Sequence, residues 1–386
     1  MANVRRRMRN GQAEKWIADY FDQNRKRHIK TFDRKRDAEA WLAEATIEVR
    51  KGVHTPENKS LTVAEAAELW IERCETEKLE KSTMLQYRQH VRDHINPSIG
   101  GVTLAQLSTP MAEDWKDKLL RGYPDPERGP DHKPVSRALA RKVLVSLKSI
   151  LRNAQRRGEV AQNVAQPVRV ELKKRDAVKL EIGRNVPSKE EITKIFAAAP
   201  ARWRALIVTA ALTGLRASEL RGLHWDCVDF ERRIITVRER ANLWGDLGAP
   251  KSAAGNREVP MTPTVFNTLR EHQSVTSRAH GLVFGTVLGT VQSHANLVNR
   301  GWYAAQLAAG ITDRDGAKYN FHACRHFYAS WAIEQGFSPK RLQQLLGHAT
   351  ISMVFDVYGS WFPSLEDDHA KFAAADAALM RLAPAG

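Results

Sequence analysis

The stretch LLGHATISMVFDVYG, residues 345–359, predicts two short helices with a break between them. Two leucines precede Gly347, a residue type that ends many helices, and His348 follows it directly. The second helical stretch ends at Tyr358. Taken singly, such a histidine is usually a polar cap and such a tyrosine usually packs in a core. The stretch therefore indicates a chemistry only in combination with cationic segments elsewhere in the chain.

The composition favours a multidomain protein with a polyanionic partner. The chain has 386 residues, which is too long for one ordinary core, so we expect two or three domains. Its formal net charge of +16 and its pI near 9.9 favour nucleic acid as that partner. Three scattered cysteines without C-x-x-C spacing predict neither disulfides nor a zinc site, and they fit a reducing cytoplasm. We expect neither a secretory signal nor a membrane-spanning segment.

The N-terminal residues 1–52 are predicted to form a small basic unit. Residues 1–60 contain 15 lysines and arginines and 9 acidic residues. The patterns at 14–20 and 27–32 predict strands, and the pattern at 37–49 predicts a helix. A small sheet backed by one helix could lay its strands in a DNA groove. The alternative is a solvated basic arm without sequence specificity. A linker rich in turn residues follows at 52–59.

Residues 61–165 are predicted to form an all-α domain. Thr62 and Glu65 have the spacing of a capping box, which opens the first helix. Three more helices are predicted at residues 82–97 (with Pro97 as the stop), 111–120 and 136–157. An ordinary helical bundle is the alternative to a DNA-binding domain, and the positive charge is the main argument against it. Residues 166–187 are predicted to be an extended basic linker.

Residues 188–362 are predicted to form a mostly helical domain with a small sheet. Ser188 and Glu191 supply another capping box at its start. The predicted elements are helices at 205–212 and 215–223, strands at 234–237 and 257–261, and helices from 262 onward. The tail at 363–386 contains an amphipathic helix. The predicted fold class is therefore mainly α with small β elements, arranged in several domains.

Cationic side chains in this last domain could meet at one phosphate. Arg216 follows the Thr213-Gly214 break at the first turn of a helix, and a surface ion pair with Glu219 is the alternative. Lys251 lies in a polar turn, where it is either a mobile proton donor or a solvated lysine. His322 and Arg325 are three residues apart on one helix face, and a buried arginine there would need an anion.

The combination of these residues indicates phosphoryl transfer more strongly than any one of them. Two arginines, a lysine and two histidines, His322 and His348, would surround Tyr358. Such a set is what a metal-free transfer through a covalent phosphotyrosine requires. His326 is adjacent to Arg325, and we expect it to point elsewhere and to be structural.

Three motifs resemble the sequence boxes of the tyrosine site-specific recombinases of the phage integrase type. They are TGLRASEL at 213–220, HACRH at 322–326 and LGHAT at 346–350. The resemblance implies a catalytic set, in which Glu219 supports the first arginine, and neither a cofactor nor a metal. The members of that set are Arg216, Lys251, His322, Arg325, His348 and Tyr358. It also implies an arm-type DNA-binding domain at 1–52, a core-binding domain at 61–165 and a catalytic domain at 188–362.

The resemblance implies a role for each member of the set. The two arginines would clamp the non-bridging oxygens of one DNA phosphate, and His348 would add a hydrogen bond. His322 would position or deprotonate Tyr358, and Lys251 would protonate the departing 5′-hydroxyl. The product would be a 3′-phosphotyrosyl bond and a free 5′-hydroxyl, formed without ATP.

The implied partners are double-stranded DNA attachment sites and further copies of the chain in a DNA-bound homotetramer. The tail at 363–386 would dock either on its own domain or on a neighbouring protomer. Accessory proteins that bend DNA or set directionality would fit the same scheme, in which a mobile element is integrated or excised. The alternatives are a type IB topoisomerase, which nicks and swivels one strand, and a non-catalytic DNA-binding regulator.

Overall fold

The computed structural model describes residues 3–7, 15–21, 27–51, 60–122, 132–171, 179–276, 281–313, 316–362 and 365–381. The chain divides into two compact units between Val178 and Lys179. This boundary lies inside the predicted linker at 166–187, of which residues 172–178 fall outside the described part. Within the described part, no helix has the length and apolar character needed to cross a membrane.

The first unit begins with a three-stranded antiparallel sheet backed by one helix. The strands are β1 (Asn3–Arg7), β2 (Lys15–Phe21) and β3 (Arg27–Phe32), in that spatial order, and the helix is α1 (Lys35–Lys51). Ala18 and Tyr20 on one face of the sheet pack against the buried face of α1. The predicted sheet and helix are confirmed, whereas β1 was not predicted because its arginine-rich sequence lacks apolar alternation.

A helical bundle follows in the same unit. Its helices are α2 (Val63–Thr76), α3 (Lys81–His90), α4 (Asn96–Ile99), α5 (Thr109–Arg121) and α6 (Arg137–Arg156). The capping box of Thr62 and Glu65 is present, since each residue's side chain bonds the other's backbone N–H. The predicted linker contributes to this bundle, because Val168 is fully buried in its core.

The prediction that a helix stops at Pro97 is wrong. The chain passes from α3 through a π-helical turn at Val91–Ile95 into α4, and Pro97 lies in the first turn of α4. A proline is tolerated in a first turn because its missing N–H would have no helical partner there. In addition, the indole Nε1 of Trp115 donates a hydrogen bond to the carbonyl of His94 at 3.0 Å.

The second unit, residues 179–386, contains the remaining elements. In chain order they are α7 (Lys189–Ala198), α8 (Ala201–Thr213), α9 (Ala217–Arg221), β4 (Val228–Asp229), β5 (Ile234–Val237), β6 (Arg240–Ala241), β7 (Leu247–Gly248), β8 (Arg257–Pro260), α10 (Pro263–Val275), α11 (His294–Asn296), a π-helical turn (Leu297–Tyr303), α12 (Ala304–Ala308), β9 (Thr312–Asp313), β10 (Gly316–Ala317), α13 (Ala323–Glu334), α14 (Pro339–Leu346), α15 (Ser352–Tyr358) and α16 (Leu365–Met380). The predicted mixture of helices and a small sheet is confirmed. The two-residue strands were not predicted, since two residues are too few to show an alternation of apolar and polar side chains.

Helix α8 is the central element of this unit. Its residues Ile207, Ala210 and Ala211 are fully buried, and α13 packs along it. The antiparallel sheet, in the order β4-β5-β8, completes the core through residues such as Ile235 and Val259. The ends of α8, α13, α14 and α15 carry the functional side chains, and the fold therefore concentrates them at one place.

Candidate active site

Arg216 lies immediately after the sharp turn that ends α8. Gly214 has φ +65°, and a Cβ there would lie 2.5 Å from Cδ1 of Tyr328, so only glycine fits this turn. Glu219 in α9 accepts hydrogen bonds from the backbone N–H of Arg216 at 2.9 Å and from its Nη1 at 2.7 Å. The predicted ion pair is present, but it is not a surface pair, because the Glu219 side chain is only 3% exposed.

Glu219 is held as a buried carboxylate between two arginines. Arg257, at the start of β8, donates Nη1 and Nη2 to the two carboxylate oxygens at 3.1 and 2.9 Å. Burial alone would raise the pKa of Glu219. The hydrogen bonds and charges of Arg257 and Arg216 outweigh it and lower the pKa to about 2. Glu219 is therefore ionised at neutral pH and fixes the guanidinium of Arg216.

Arg325 in α13 is the more deeply buried of the two predicted arginines. It is 2% exposed, its Nη1 donates to the carbonyl of Gly214 at 2.8 Å, and its Nη2 donates to the carbonyl of Leu346. Burial and the positive charge of Arg216 lower the pKa of Arg325 to about 9, so it stays charged at neutral pH. Two like charges that disfavour each other in this way create a place for an anion.

Tyr358 ends α15 with its side chain inside the protein. The residue is 1% exposed, and its ring packs at a tilt against the indole of Trp361. Burial raises the pKa of the phenol to about 12, against the opposing charges of Arg325 and Arg216. Tyr358 is therefore a neutral phenol within electrostatic reach of the arginine pair.

The expectation that His326 points elsewhere is wrong. Its Nδ1 lies 2.9 Å from the hydroxyl of Tyr358, which makes it the hydrogen-bond partner of the phenol. Desolvation, followed by the charges of His322 and Arg325, lowers the pKa of His326 to about 4. A neutral imidazole at this position can accept the phenol proton.

His322 does not contact the phenol directly as we expected, because His326 lies between them. Its ring meets the ring of His326 edge to face, with 4.8 Å between the centroids. The residue is solvent-exposed, yet desolvation of its ring and the charges of Arg325 and Arg216 lower its pKa. In this arrangement, His322 reaches Tyr358 through His326.

His348 follows the end of α14, as the sequence predicts. Gly347 ends that helix with φ +63°, and the buried ring of His348 comes next, 8% exposed. Within the described part of the chain, the Nδ1 atom of His348 is buried without a hydrogen-bond partner. Burial, together with the Arg325, Arg216 and Arg257 charges, lowers its pKa to about 4. An unpaired buried ring nitrogen beside two arginines can bond an entering ligand.

Lys251 joins the set through a cavity. It lies on the exposed turn between β7 and β8, and a cavity of about 190 Å³ is lined by this lysine, Glu219 and Arg240. Arg216 lines that cavity and also a second one of about 280 Å³, which His322 and Arg325 line as well. The lysine and the arginine pair therefore face two spaces that share Arg216 as a lining residue.

Two residues of this site, His326 and Arg257, were not predicted from the sequence. The position of His326 next to Arg325 is a signal of a role in the site, but the direction of its side chain depends on how α13 packs on α15. Arg257 was placed in a strand, and nothing in its neighbours indicates a buried arginine. The one sequence signal is its partner, Glu219. If that carboxylate is buried, its charge needs a second cationic partner besides the partly exposed Arg216.

Comparison with known families agrees with this geometry. The sequence pattern of the phage integrase family matches residues 186–361, and that of the phage integrase N-terminal SAM-like domain matches residues 62–120. The chain belongs to the phage integrase family. The match at 186–361 contains all the predicted catalytic residues of this tyrosine recombinase.

Curated relatives of this integrase-family chain match over most of their length. A XerC-like tyrosine recombinase of Caldanaerobacter subterraneus subsp. tengcongensis is 26% identical over 358 residues, covering 85% of this chain and 86% of the relative. The integrase of Mycobacterium phage L5 is 24% identical over 335 residues, with 84% of each chain covered.

Solved structures share the fold of this tyrosine recombinase. The Tn1549 transposon integrase in complex with a circular intermediate DNA superposes with a TM-score of 0.63 at 18% identity, covering 82% of this chain and 100% of that one. A lambda integrase tetramer bound to a Holliday junction gives a TM-score of 0.57 at 17% identity, covering 94% and 95%. These similarities confirm the predicted fold class.

Proposed function

We propose that this chain is a site-specific DNA recombinase that cleaves and rejoins double-stranded DNA with Tyr358 as its nucleophile. The observation that carries the proposal is the buried phenol of Tyr358, hydrogen-bonded to His326 and within electrostatic reach of Arg216 and Arg325. Integration or excision of a mobile element is the task that agrees with the relatives named above.

In the proposed cleavage step, one phosphodiester of the DNA enters between Arg216 and Arg325. The Tyr358 oxygen attacks phosphorus while its proton passes to Nδ1 of His326. The guanidinium groups stabilise the charge that builds on the non-bridging oxygens, and His348 adds a hydrogen bond. Removing one such donor typically slows a reaction by about 10²–10³ fold.

The leaving group departs on the side of the Lys251 cavity. As the P–O5′ bond breaks, Lys251 donates a proton to the 5′ oxygen, which leaves as a hydroxyl. The DNA strand is then joined to the protein through a 3′-phosphotyrosyl ester. Because this ester retains the energy of the original bond, a 5′-hydroxyl from another strand can reverse the step without ATP.

The N-terminal sheet is the proposed arm-type DNA-binding surface. Residue pairing puts the exposed Arg5, Arg7, Lys15 and Arg27 on the face opposite α1, because directly paired residues share a face. Arg27 also forms an ion pair with the buried Asp19. We assign residues 1–52 to arm binding, 61–165 to core binding, 166–187 to a linker and 188–362 to catalysis.

A homotetramer on DNA is the proposed working assembly. The tail helix α16 exposes Phe372 by 76% and Leu379 by 63%, so its apolar residues are available to a second copy of the chain. A lambda integrase tetramer binds a Holliday junction, and this supports the same assembly for the present chain. We place the reaction in the cytoplasm, where the attachment sites and any accessory DNA-bending proteins would be.

A supercoiled plasmid that carries two copies of the DNA flanking the gene tests this function. A recombinase yields exchange products whose sizes depend on the orientation of the copies. A type IB topoisomerase instead relaxes the plasmid whether or not the copies are present, and a non-catalytic regulator only binds. We expect exchange with the wild-type chain and with Tyr87→Phe, a control in the first unit, and none with Tyr358→Phe. Relaxation without exchange, or exchange by Tyr358→Phe, would contradict the proposal.

A further inference from the structure

Three arginines converge on the C-terminal end of helix α14. Each one donates a hydrogen bond to a different backbone carbonyl among three consecutive residues. The pairs are Arg257 Nε to Leu345 at 2.7 Å, Arg325 Nη2 to Leu346, and Arg216 Nη2 to Gly347 at 3.5 Å. The carbonyls at a helix C-terminus have no helical partners and carry partial negative charge, so they hold guanidinium groups well. Two of these arginines have the proposed role of binding phosphate, and Arg257 has none yet.

Arg257 is bonded entirely to the protein. It is 9% exposed and makes four hydrogen bonds, to Leu345, to both oxygens of Glu219 and to the carbonyl of Gly255. A guanidinium in this setting has little capacity left for a phosphate, in contrast to Arg216, whose side chain is 34% exposed. Arg257 therefore acts through the groups that it holds.

The first group that Arg257 holds is Glu219. Both guanidinium nitrogens of its fork bond the carboxylate, and the same carboxylate bonds the backbone N–H and Nη1 of Arg216. A bidentate pair fixes the plane of the carboxylate as well as its position. The orientation of Arg216 therefore depends on Arg257 through one shared carboxylate.

The second group is the turn that carries Lys251. Nη1 of Arg257 donates to the carbonyl of Gly255 at 3.1 Å. Gly255 packs so closely on Pro250, the residue before the lysine, that a Cβ on Gly255 would lie 2.4 Å from Cβ of Pro250. The guanidinium therefore holds the base of the turn from which Lys251 projects.

We propose that Arg257 is a positioning residue that sets the phosphate clamp and the general-acid turn relative to each other. It does so by holding Glu219 behind Arg216 and the Gly255 carbonyl behind Lys251, on the shared support of the α14 C-terminus. This inference rests on the proposed function, because it assigns Arg257 a role within that reaction. A displacement of about 1 Å at a reacting group can slow a reaction by about 10² fold.

The test compares Arg257→Met, Arg257→Lys and wild type in single-turnover cleavage of nicked duplexes made from the gene-flanking DNA. One duplex has the ordinary scissile phosphate. A second has sulfur in place of the bridging 5′ oxygen, so that the leaving group needs no proton from Lys251. A third has a methylphosphonate, which removes the charge that Arg216 stabilises. Arg232→Met, a surface arginine that pairs with Glu258 in the neighbouring strand, is the matched control.

We expect Arg257→Met to cleave the ordinary duplex about 10² fold more slowly than wild type, with unchanged DNA affinity. The deficit should shrink by about tenfold on each modified duplex, because each one removes the need for one of the two groups that Arg257 positions. Arg257→Lys should recover part of the rate, since lysine keeps a positive charge beside Glu219 but cannot form the bidentate guanidinium pair. If Arg257→Met does not fold, the same comparison is made with Arg257→Lys, whose deficit should shrink in the same way.

Two results would overturn the inference in different ways. Equal deficits on all three duplexes, or no deficit at all, would show that Arg257 does not act through these two groups. The proposed function would stand in that case, because wild type still cleaves. If wild type forms no covalent adduct with any duplex, both the function and the inference fail.

Discussion

The phenol of Tyr358 is neutral and buried in the free protein, beside an imidazole that can accept its proton. Its pKa is raised to about 12 because burial outweighs the charges of Arg325 and Arg216. An entering phosphate would offset the charge of Arg325, which lowers the pKa of His326, so the imidazole would become a better acceptor for the phenol proton. The free protein therefore keeps a weak nucleophile beside a weak base, and DNA binding strengthens the base.

The depressed pKa values of His326 and His348 predict that acid destabilises the catalytic unit. Both lie near 4, below the usual value of 6.5, because burial and nearby arginines disfavour the charged ring. Between these values only the unfolded chain takes up the proton, so stability is full above pH 6.5 and falls as pH drops towards 4. The slope for one such histidine is at most about 1.4 kcal/mol per pH unit.

Urea unfolding at pH 7 and pH 5 measures this dependence. In His326→Gln and in His348→Gln, the loss of unfolding free energy between the two pH values should be smaller than in wild type by about 1–2 kcal/mol. Equal losses in wild type and both variants would show that these rings are not held neutral by the fold.

At the scale of single residues, the sequence located the cations but not their partners. Arg216, Lys251, His322, Arg325, His348 and Tyr358 were all named in advance. Their catalytic roles remain a proposal, although Arg216, Lys251, His322 and Arg325 line two cavities that share Arg216. The bond from His326 to Tyr358 depends on how α13 packs on α15, and no local pattern encodes that angle.

The C-terminus of α14 is the element on which the arrangement of the site depends. It ends at Gly347 in a left-handed conformation, next to three arginine side chains and the turn after Lys251. A Cβ at Gly347 would lie 2.9 Å from both the Ala254 carbonyl oxygen and Nη1 of Arg257. This helix end therefore has no room for a side chain.

Alanine at Gly347 should be more harmful than alanine at Gly336, which provides a matched control. Gly336 also has a positive φ, of +80°, but a Cβ there meets nothing within 4 Å. We expect Gly336→Ala to lower the unfolding free energy by about 1 kcal/mol through backbone strain alone. Gly347→Ala should lower it by at least about 1 kcal/mol more, because the backbone carbonyl and Arg257 must move. Urea unfolding of the two variants checks this, and equal losses would contradict the close contact.

Among elements, the sequence was most informative where a rule is local. The capping boxes at Thr62 and Ser188 both form, because each depends on residues three positions apart. The stop predicted at Pro97 was wrong because a π-helical turn precedes the proline and places it in the first turn of α4, where a proline is tolerated. Strand β1 was missed because its pairing with β2, rather than its own pattern, makes it a strand.

At the scale of the whole molecule, the net charge of +16 and the sequence of its segments carry the functional argument. The catalytic residues all lie in the second unit, and the basic sheet of Arg5 and Arg27 lies in the first. The charge predicted a nucleic-acid partner, and the family membership agrees with it. The finer division into arm, core and catalytic domains stays a proposal, since it depends on contacts with DNA.

The most direct test of the account is to identify the residue that becomes joined to DNA. A nicked duplex of the gene-flanking sequence traps the covalent intermediate, because the short cleaved fragment diffuses away and cannot be rejoined. After nuclease and protease digestion, mass spectrometry should find a nucleotide attached through its 3′-phosphate to the peptide containing Tyr358, and the released fragment should carry a 5′-hydroxyl. An adduct on another residue, a linkage through a 5′-phosphate, or no adduct at all would contradict the account.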